Sequence, residues 1–169
     1  NHTWPKTVHT GNLILSMGGG NDFIDEARFL NIDSIDMGAG DDSIDLSNGY
    51  GGSVAFGSAN YAKLDGGTGN DTLDFTRSND TNGQTLTLTF AGATNFENII
   101  GSSKAETIQG DGNDNILVGD GDRPTISSSP VGTDIIYGYA GNDILVGGSN
   151  SSMDKWNSPK IMEGGLSNY

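Results

Sequence analysis

The chain has 169 residues, of which 33% are hydrophobic and 27 are glycine, and it carries a formal net charge of −14. This composition supplies too little apolar bulk for a thick core, and the acidic charge argues against nucleic acid and anionic membrane as partners and favours cations. There is no cysteine, so bound metal is expected to stabilise the fold where a secreted domain often uses disulfides. No apolar run approaches the roughly 18 residues that a membrane span needs.

Residues 1–12 are predicted to be a lead-in or cap, in which Trp4 covers the end of the core. His2 and His9 lie seven residues apart without a nearby cysteine, which makes a poor zinc site. These opening residues also lack the basic start and apolar centre of a signal peptide, and both ends of the chain are expected to be cut points in a longer polypeptide.

A repeat begins at residue 13. It consists of a glycine–aspartate turn of six residues, followed by a strand of three with one large aliphatic residue at its centre. Clear copies cover 17–25, 37–45 and 66–74, and weaker ones cover 110–117 and 138–145. Strand centres nine residues apart, on either side of each such turn, predict coils of two short strands and two turns. The predicted centres are Leu15, Ile24, Ile35, Ile44, Leu64, Leu73, Ile99, Ile108, Leu117, Ile136 and Leu145.

Departures from this spacing predict inserted loops. Coils of 20 and 29 residues place irregular turns at 26–33 and 46–62, and a gap of 19 residues between two later centres places another loop at 123–132. The two prolines and three serines of that last segment suit an exposed loop. The repeat domain is therefore assigned to 13–148, and 149–169 to a C-terminal cap or tail.

Two further segments are less regular. Thr85–Phe90 alternates threonine with leucine and phenylalanine, which predicts a strand with its leucines on one face. A threonine row is typical of ice-binding surfaces, but this row occurs once, and ordinary β-propensity explains it. Near the end of the chain, 159–163 is a candidate last strand and Trp156 a candidate cap.

If the turns alternate between two edges of the stack, all five good glycine–aspartate turns fall on the same edge. This edge, edge A, is predicted to carry 17–22, 37–42, 66–71, a degenerate turn at 91–96, 110–115 and 138–143. The opposite edge, edge B, is predicted to carry the variable loops, then 101–106, 119–134 and 147–152.

The residue types in these turns indicate Ca²⁺. Alternating glycines allow positive φ and bring carbonyl oxygens close to a common point, and the aspartate at the sixth position adds an anionic oxygen. Carbonyls and carboxylates without sulfur or imidazole match Ca²⁺, which takes 6–8 oxygens at about 2.3–2.6 Å. The alternative is that the aspartates only form Asx turns, but stacked turns about 5 Å apart would then align carboxylates without a counter-charge. An EF-hand is excluded because Ile116 occupies the place of its required glycine.

An aspartate also follows several strand centres: Asp25, Asp45 and Asp74 on one strand of their coils, and Asp36 and Asp65 on the other. Their phase opposes that of the buried aliphatic residues, so they are predicted to face outward. In stacked coils they would form ladders of like charge, which are unfavourable unless a cation bridges them. Two interpretations stay open: additional, weaker cation sites, or a solvated acidic face.

These turns resemble the repeats-in-toxin (RTX) nonapeptide, Gly-Gly-x-Gly-x-Asp-x-aliphatic-x, of calcium-binding β-rolls. The resemblance implies an all-β, right-handed parallel β-roll or β-solenoid, with calcium-binding turns stacked along one edge and irregular loops on the other. It also implies export by type I secretion. In that family the sixth-position aspartate and the turn carbonyls bind Ca²⁺ between adjacent coils. The residues that the resemblance assigns to several Ca²⁺ ions are Gly18, Gly20, Asp22, Gly38, Gly40, Asp42, Gly66, Gly69, Asp71, Asp114, Gly138, Gly141 and Asp143.

Some residues depart from the family pattern. Met17 and Met37 replace the first glycine of the turn, which restricts φ there, and Asn115 stands in a sixth position. On edge B, Glu106 takes the sixth position and Lys104 the place of a glycine. This part of edge B is therefore expected to lack a calcium site.

Together these features predict a module that folds when it binds calcium. A thin double row of aliphatic residues cannot offset the conformational entropy of the chain, so the metal-free chain is expected to be expanded. The favoured role is a structural or adhesive module of a larger secreted or cell-surface bacterial protein, of adhesin or S-layer type. Its expected partners are calcium ions, neighbouring domains, and a cell-surface component or polysaccharide.

Two alternatives involve catalysis. The chain is either the accessory β-roll of a secreted hydrolase or toxin, or a polysaccharide-acting enzyme in its own right. It holds no His-Glu-x-x-His and no Gly-x-Ser-x-Gly sequence, so any catalytic activity is expected to lie outside it.

Overall fold

A computed structural model of the protein describes residues 14–24, 34–46, 63–78, 83–89, 92–121, 133–147 and 155–157. The predictions that lie outside these residues concern the cap at 1–12, the loops at 26–33 and 123–132, nearly all of 46–62, the candidate strand at 159–163, and Asp25. In the described part of the chain, no helix is long and apolar enough to cross a membrane.

Nearly all regular structure consists of short strands, most of them three residues long. The strands are β1 (Ile14–Ser16), β2 (Phe23–Ile24), β3 (Ser34–Asp36), β4 (Ser43–Asp45), β5 (Lys63–Asp65), β6 (Thr72–Asp74), β7 (Thr85–Thr87), β8 (Asn98–Ile100), β9 (Thr107–Gln109), β10 (Ile116–Val118), β11 (Ile135–Tyr137), β12 (Ile144–Val146) and β13 (Lys155–Asn157).

The strands form parallel sheets whose register follows the predicted repeat. Even-numbered strands build one sheet in the order β12-β10-β8-β6-β4-β2, and odd-numbered strands build two sheets, β1-β3-β5 and β13-β11-β9-β7. The predicted centres stack on one another, with Leu15 opposite Ile35. Ile108 lies opposite Ile136, so the register is kept across the loop predicted at 123–132. The all-β parallel roll is therefore confirmed.

The core is a double row of the predicted strand centres. From Ile35 to Leu145 these side chains are at most 3% exposed, and Phe75 and Phe96 add aromatic bulk beside them. Side chains alternate between the two faces of a strand, so a strand of three residues directs its central side chain into the core. Leu15 and Ile24, the centres of the first coil, are only partly buried and pack against this core.

The fourth coil departs from the prediction. Only Thr85–Thr87 of the expected strand is extended, although Leu86 and Leu88 are buried as predicted. The backbone N–H of Thr94 donates to Leu64 O at 2.9 Å, so the segment around Thr94, and not β7, continues the sheet of β5. This pairing divides the odd-numbered strands into two sheets.

The same pairing removes the degenerate turn predicted at 91–96. Asp65 bridges Thr94, while Thr72 pairs with Asn98. Three residues, 95–97, therefore stand opposite the six residues of the preceding turn on edge A. A six-residue turn at this place was a wrong prediction, because cross-coil hydrogen bonds hold the chain in the sheet up to Thr94.

The roll also extends beyond its predicted limit at residue 148. β13 pairs in parallel with β11, and Trp156 lies opposite Ile136 in the register. Trp156 thus occupies a strand-centre position in the sheet.

Candidate metal centre

Edge A is the side of the roll on which odd-numbered strands lead into even-numbered ones. Its turns form two groups, separated by the short connection at 95–97. The N-terminal block comprises the turns 17–22, 37–42 and 66–71, and the C-terminal block comprises 110–115 and 138–143. The placement of all five good turns on one edge is confirmed.

In the N-terminal block, the second and fourth positions of the turns require glycine for two reasons. Gly38 and Gly40 have φ of 99° and 137°, in the region that disfavours residues with a side chain. A Cβ added to Gly38 would stand 1.9 Å from Gly18 O, and one added to Gly40 would stand 2.3 Å from Gly20 O. The turn backbones of successive coils are therefore packed with carbonyl oxygens pointing at the next turn. Positive φ also occurs at Gly18, Gly20, Gly67, Gly69 and Gly141.

The first position of the turn is constrained differently. A Cβ on Gly66 would stand 2.9 Å from Asp71 Oδ2, and one on Gly138 would stand 2.4 Å from Asp143 Oδ2. Glycine here leaves room for the sixth-position carboxylate of its own turn. Neither residue has positive φ, so the restriction that Met37 places on φ has no consequence at this position; its side chain is fully buried in the core.

The sixth-position aspartates form a column along edge A. Asp42 Oδ1 accepts the backbone N–H of Asp22 at 2.7 Å, and Asp71 Oδ1 accepts that of Asp42 at 2.8 Å. Asp143 Oδ1 accepts the backbone N–H of Asn115 at 3.1 Å in the C-terminal block. One carboxylate oxygen of Asp42, Asp71 and Asp143 is thus used to join neighbouring coils.

The second oxygen of each aspartate tests whether these residues fit a metal. Oδ2 of Asp22, Asp42, Asp71 and Asp143 is buried and accepts no hydrogen bond from the described residues. A buried anionic oxygen without a donor is costly, and a cation satisfies it. No group of three or more acidic or histidine side chains in the described ranges is placed to hold a metal by itself. The donor set is therefore carboxylate oxygen combined with backbone carbonyl oxygen, which fits Ca²⁺.

Asp71 shows the electrostatic cost of the column. Burial raises the pKa of its carboxyl group from 3.8 to about 6. The hydrogen bond from the Asp42 backbone lowers this pKa, and the negative charges of Asp42, Glu97 and Asp41 raise it. The ionised carboxylates of the column therefore repel one another until a cation neutralises their charge.

The fifth positions form a second row, which faces solvent. Asn21 Oδ1 accepts the backbone N–H of Asp41 at 3.0 Å, and Asp114 Oδ1 accepts that of Asn142 at 2.7 Å. Asp114 was predicted as a metal residue, but it is exposed and belongs to this row, whereas Asn115 occupies the sixth position and is 2% exposed.

Sequence reasoning missed Glu97, which takes the sixth position in the fourth coil. Glu97 Oε2 accepts the backbone N–H of Asp71 at 2.9 Å, the same contact that aspartates make in the other coils. A simple signal would have found it, because every sixth position lies two residues before a strand centre. Counting back from Ile99 gives Glu97, whereas the predicted turn at 91–96 placed Phe96 there.

Edge B repeats this contact once. The backbone N–H of Glu106 donates to Asp134 Oδ1 at 2.8 Å, and Ser102 Oγ donates to Glu106 Oε1. The sixth-position acid of 101–106 therefore accepts a hydrogen bond from a hydroxyl within its own turn. That this part of edge B lacks a calcium site stays a prediction.

The aspartates that follow strand centres are not all exposed to solvent. Asp36 is exposed and pairs with Asp65 as predicted. Asp45 lies opposite Asp74, but it is only 2% exposed and accepts a 2.7 Å hydrogen bond from Arg77 Nε. The interpretation as a solvated acidic face therefore fails at Asp45, because the turn that follows β6 brings a guanidinium group onto it.

Comparison with protein families identifies this edge. Residues 63–81, 92–126 and 131–151 match the model of the RTX calcium-binding nonapeptide repeat, with four copies. The chain carries RTX calcium-binding repeats and forms a parallel β-roll. Comparison with curated proteins and with solved structures gave no match. The repeats therefore indicate that the chain binds calcium. The first two turns of edge A repeat the geometry of the later turns, although they lie outside the matched ranges.

Proposed function

We propose that this RTX β-roll is a calcium-folded structural or adhesive module of a larger secreted or cell-surface bacterial protein, of adhesin or S-layer type. The observation that carries the proposal is the column of sixth-position aspartates on edge A, each with a buried Oδ2 that accepts no hydrogen bond from the described residues. The net charge of −14 also favours the binding of cations. A chain that needs cations to neutralise its own fold stays unfolded where calcium is scarce.

Calcium, when bound, neutralises the aspartates and joins neighbouring turns. The residues of the chain prepare this step: the sixth-position Oδ1 atoms already hold successive coils together at 2.7 and 2.8 Å. Metal binding and folding then become one event. We place that event outside the cell, where calcium reaches about 10⁻³ M, a concentration that extracellular sites are suited to. Before export the chain would remain extended and able to pass a secretion channel.

We further propose that the module has no catalytic activity of its own. Its buried edge A acids hold backbone N–H groups of neighbouring coils and leave their second oxygen to the metal, so they are committed to structure. Incubation of the calcium-loaded module with acidic polysaccharides, with product analysis by chromatography, is expected to show no cleavage. Cleavage that disappears on substitution of a buried acid would contradict this.

Circular dichroism during a calcium titration tests the main proposal. After treatment with chelator the chain is expected to lose most of its β signal, and calcium is expected to restore it cooperatively. Magnesium serves as the control, because it retains its water ligands and should not restore the signal at the same concentration. A fully folded, cooperative β signal in chelator would defeat the proposal.

A further inference from the structure

The connection at 95–97 ends the N-terminal block without a glycine–aspartate turn, yet it presents oxygen atoms to the last carboxylate of that block. Thr72 pairs with Asn98, so Glu97 lies directly opposite Asp71. Glu97 is one methylene longer than aspartate, and its Oε2 reaches the backbone N–H of Asp71 at 2.9 Å. Its carboxylate therefore occupies the place that the next aspartate of the column would take.

The same connection also brings a carbonyl oxygen, that of Asn95, close to the turn that carries Asp71. A Cβ added to Gly66 would stand 2.0 Å from Asn95 O and 2.9 Å from Asp71 Oδ2. The Asn95 carbonyl oxygen and the Asp71 carboxylate oxygen therefore both lie close to Gly66, at a position where a side chain would collide with them. Asp71 is fully buried, and its Oδ2 accepts no hydrogen bond from the described residues.

The backbone that supplies the carbonyl is fixed in position. Asn95 has φ of 56°, a left-handed conformation that asparagine adopts more readily than most residues. Its Nδ2 donates to Asp65 Oδ1 at 2.7 Å, and the same oxygen accepts the backbone N–H of Gly67 at 3.1 Å. The connection and the preceding turn are therefore joined before any metal arrives.

We propose that Glu97 and the Asn95 carbonyl, with Asp71, hold a further Ca²⁺ ion that closes the N-terminal block. This inference rests on the proposed function, since it concerns calcium on the same edge. It differs from the RTX repeat because one side of the site comes from a three-residue connection instead of a nonapeptide turn. The oxygen types match the preference of calcium for carboxylate and carbonyl ligands.

Calcium counting with Glu97→Gln tests the site. The amide keeps an oxygen that accepts the Asp71 N–H but removes the charge, so the fold is retained while the ion is lost. Isothermal titration of the chelator-treated chain is expected to give one ion fewer than wild type, or at least a tenfold weaker site. Asp41→Asn is the matched control, because it removes one charge from an exposed fifth position, keeps an oxygen that accepts the Asn70 N–H, and should leave the count unchanged.

The outcomes separate the two proposals. If Glu97→Gln binds the same number of ions with the same affinity as Asp41→Asn, Glu97 is only a structural acceptor and the inference is wrong. If the wild-type chain binds no calcium, both the proposed function and this inference are wrong. Should Glu97→Gln not fold even at saturating calcium, Glu97→Asp decides: it keeps the charge but withdraws it by one methylene, so a weakened site supports the inference and wild-type affinity contradicts it.

Discussion

The N-terminal and C-terminal blocks of edge A share a backbone plan but satisfy their sixth positions differently. In the N-terminal block these positions are all acidic, and the column continues from Asp71 to Glu97. In the C-terminal block Asn115 takes one of them: its Oδ1 accepts the backbone N–H of Asp111 at 2.9 Å, and its Nδ2 donates to Glu97 O at 3.0 Å. An amide that both donates and accepts needs no cation. We therefore expect the demand for calcium to be greater in the first three turns than in the last two.

The outer face of the even-numbered sheet shows the same division. The third residues of its strands align in register as Asp45, Asp74, Ile100, Val118 and Val146. The acidic residues of this row belong to strands that follow turns of the N-terminal block, and Arg77 binds Asp45 there. The apolar residues belong to β8 and to the strands that follow turns of the C-terminal block, and they need no counter-charge. The acidic residues of this row therefore end at Asp74, and its apolar residues begin in β8.

The largest difference between the blocks is expected from matched removal of a sixth-position charge. Asp42→Asn keeps an acceptor for the Asp22 N–H but removes a carboxylate that has acidic neighbours on both sides. The calcium concentration for half-folding should rise about a hundredfold, or about 2.7 kcal/mol, whereas Asp143→Asn should raise it about tenfold, or about 1.4 kcal/mol. Circular dichroism titrations of both variants measure this. Equal shifts would contradict the division into two blocks.

Loss of the Arg77 charge is expected to have the next largest effect. The Asp45 side chain is 3% exposed, and Arg77→Met would leave its carboxylate without the guanidinium while keeping an aliphatic stem. We expect a loss of about 1–3 kcal/mol in the free energy of unfolding, below the value for a fully buried pair because Arg77 is 32% exposed. Urea unfolding at saturating calcium measures it. The double variant with Asp45→Asn should recover most of the loss; no recovery would show that packing, not charge, is responsible.

The smallest effect is expected from pH, through Asp71. Its pKa is raised to about 6 from 3.8, so the metal-free fold binds a proton that the unfolded chain has already released. This contribution to the stability of the metal-free fold is fully present below about pH 4 and is lost as pH rises through about 6. Acidification from pH 7 to 5 should therefore increase the β signal in chelator slightly and weaken calcium binding. Asp71→Asn should flatten both dependences; an unchanged pH profile would show that other groups cause them.

The sequence by itself determined the roll and its calcium-binding edge. The interval of nine residues between aliphatic centres can be read within each repeat. Glycine and aspartate at fixed positions of the turn indicate its backbone conformation and its metal ligands. The centres from Leu15 to Leu145 and the stacking of five turns could therefore be read without coordinates, even across the loop at 123–132.

Only the tertiary structure decided what happens where the repeat is interrupted, between Phe75 and Glu97. There the residues that meet are chosen by hydrogen bonds between coils and not by local spacing. The bridge from Asp65 to Thr94 shortens the fourth turn and brings Glu97 to Asp71, and the turn after β6 brings Arg77 onto Asp45. A periodic pattern contains no information on such pairings, because they depend on which segments lie side by side in the folded stack.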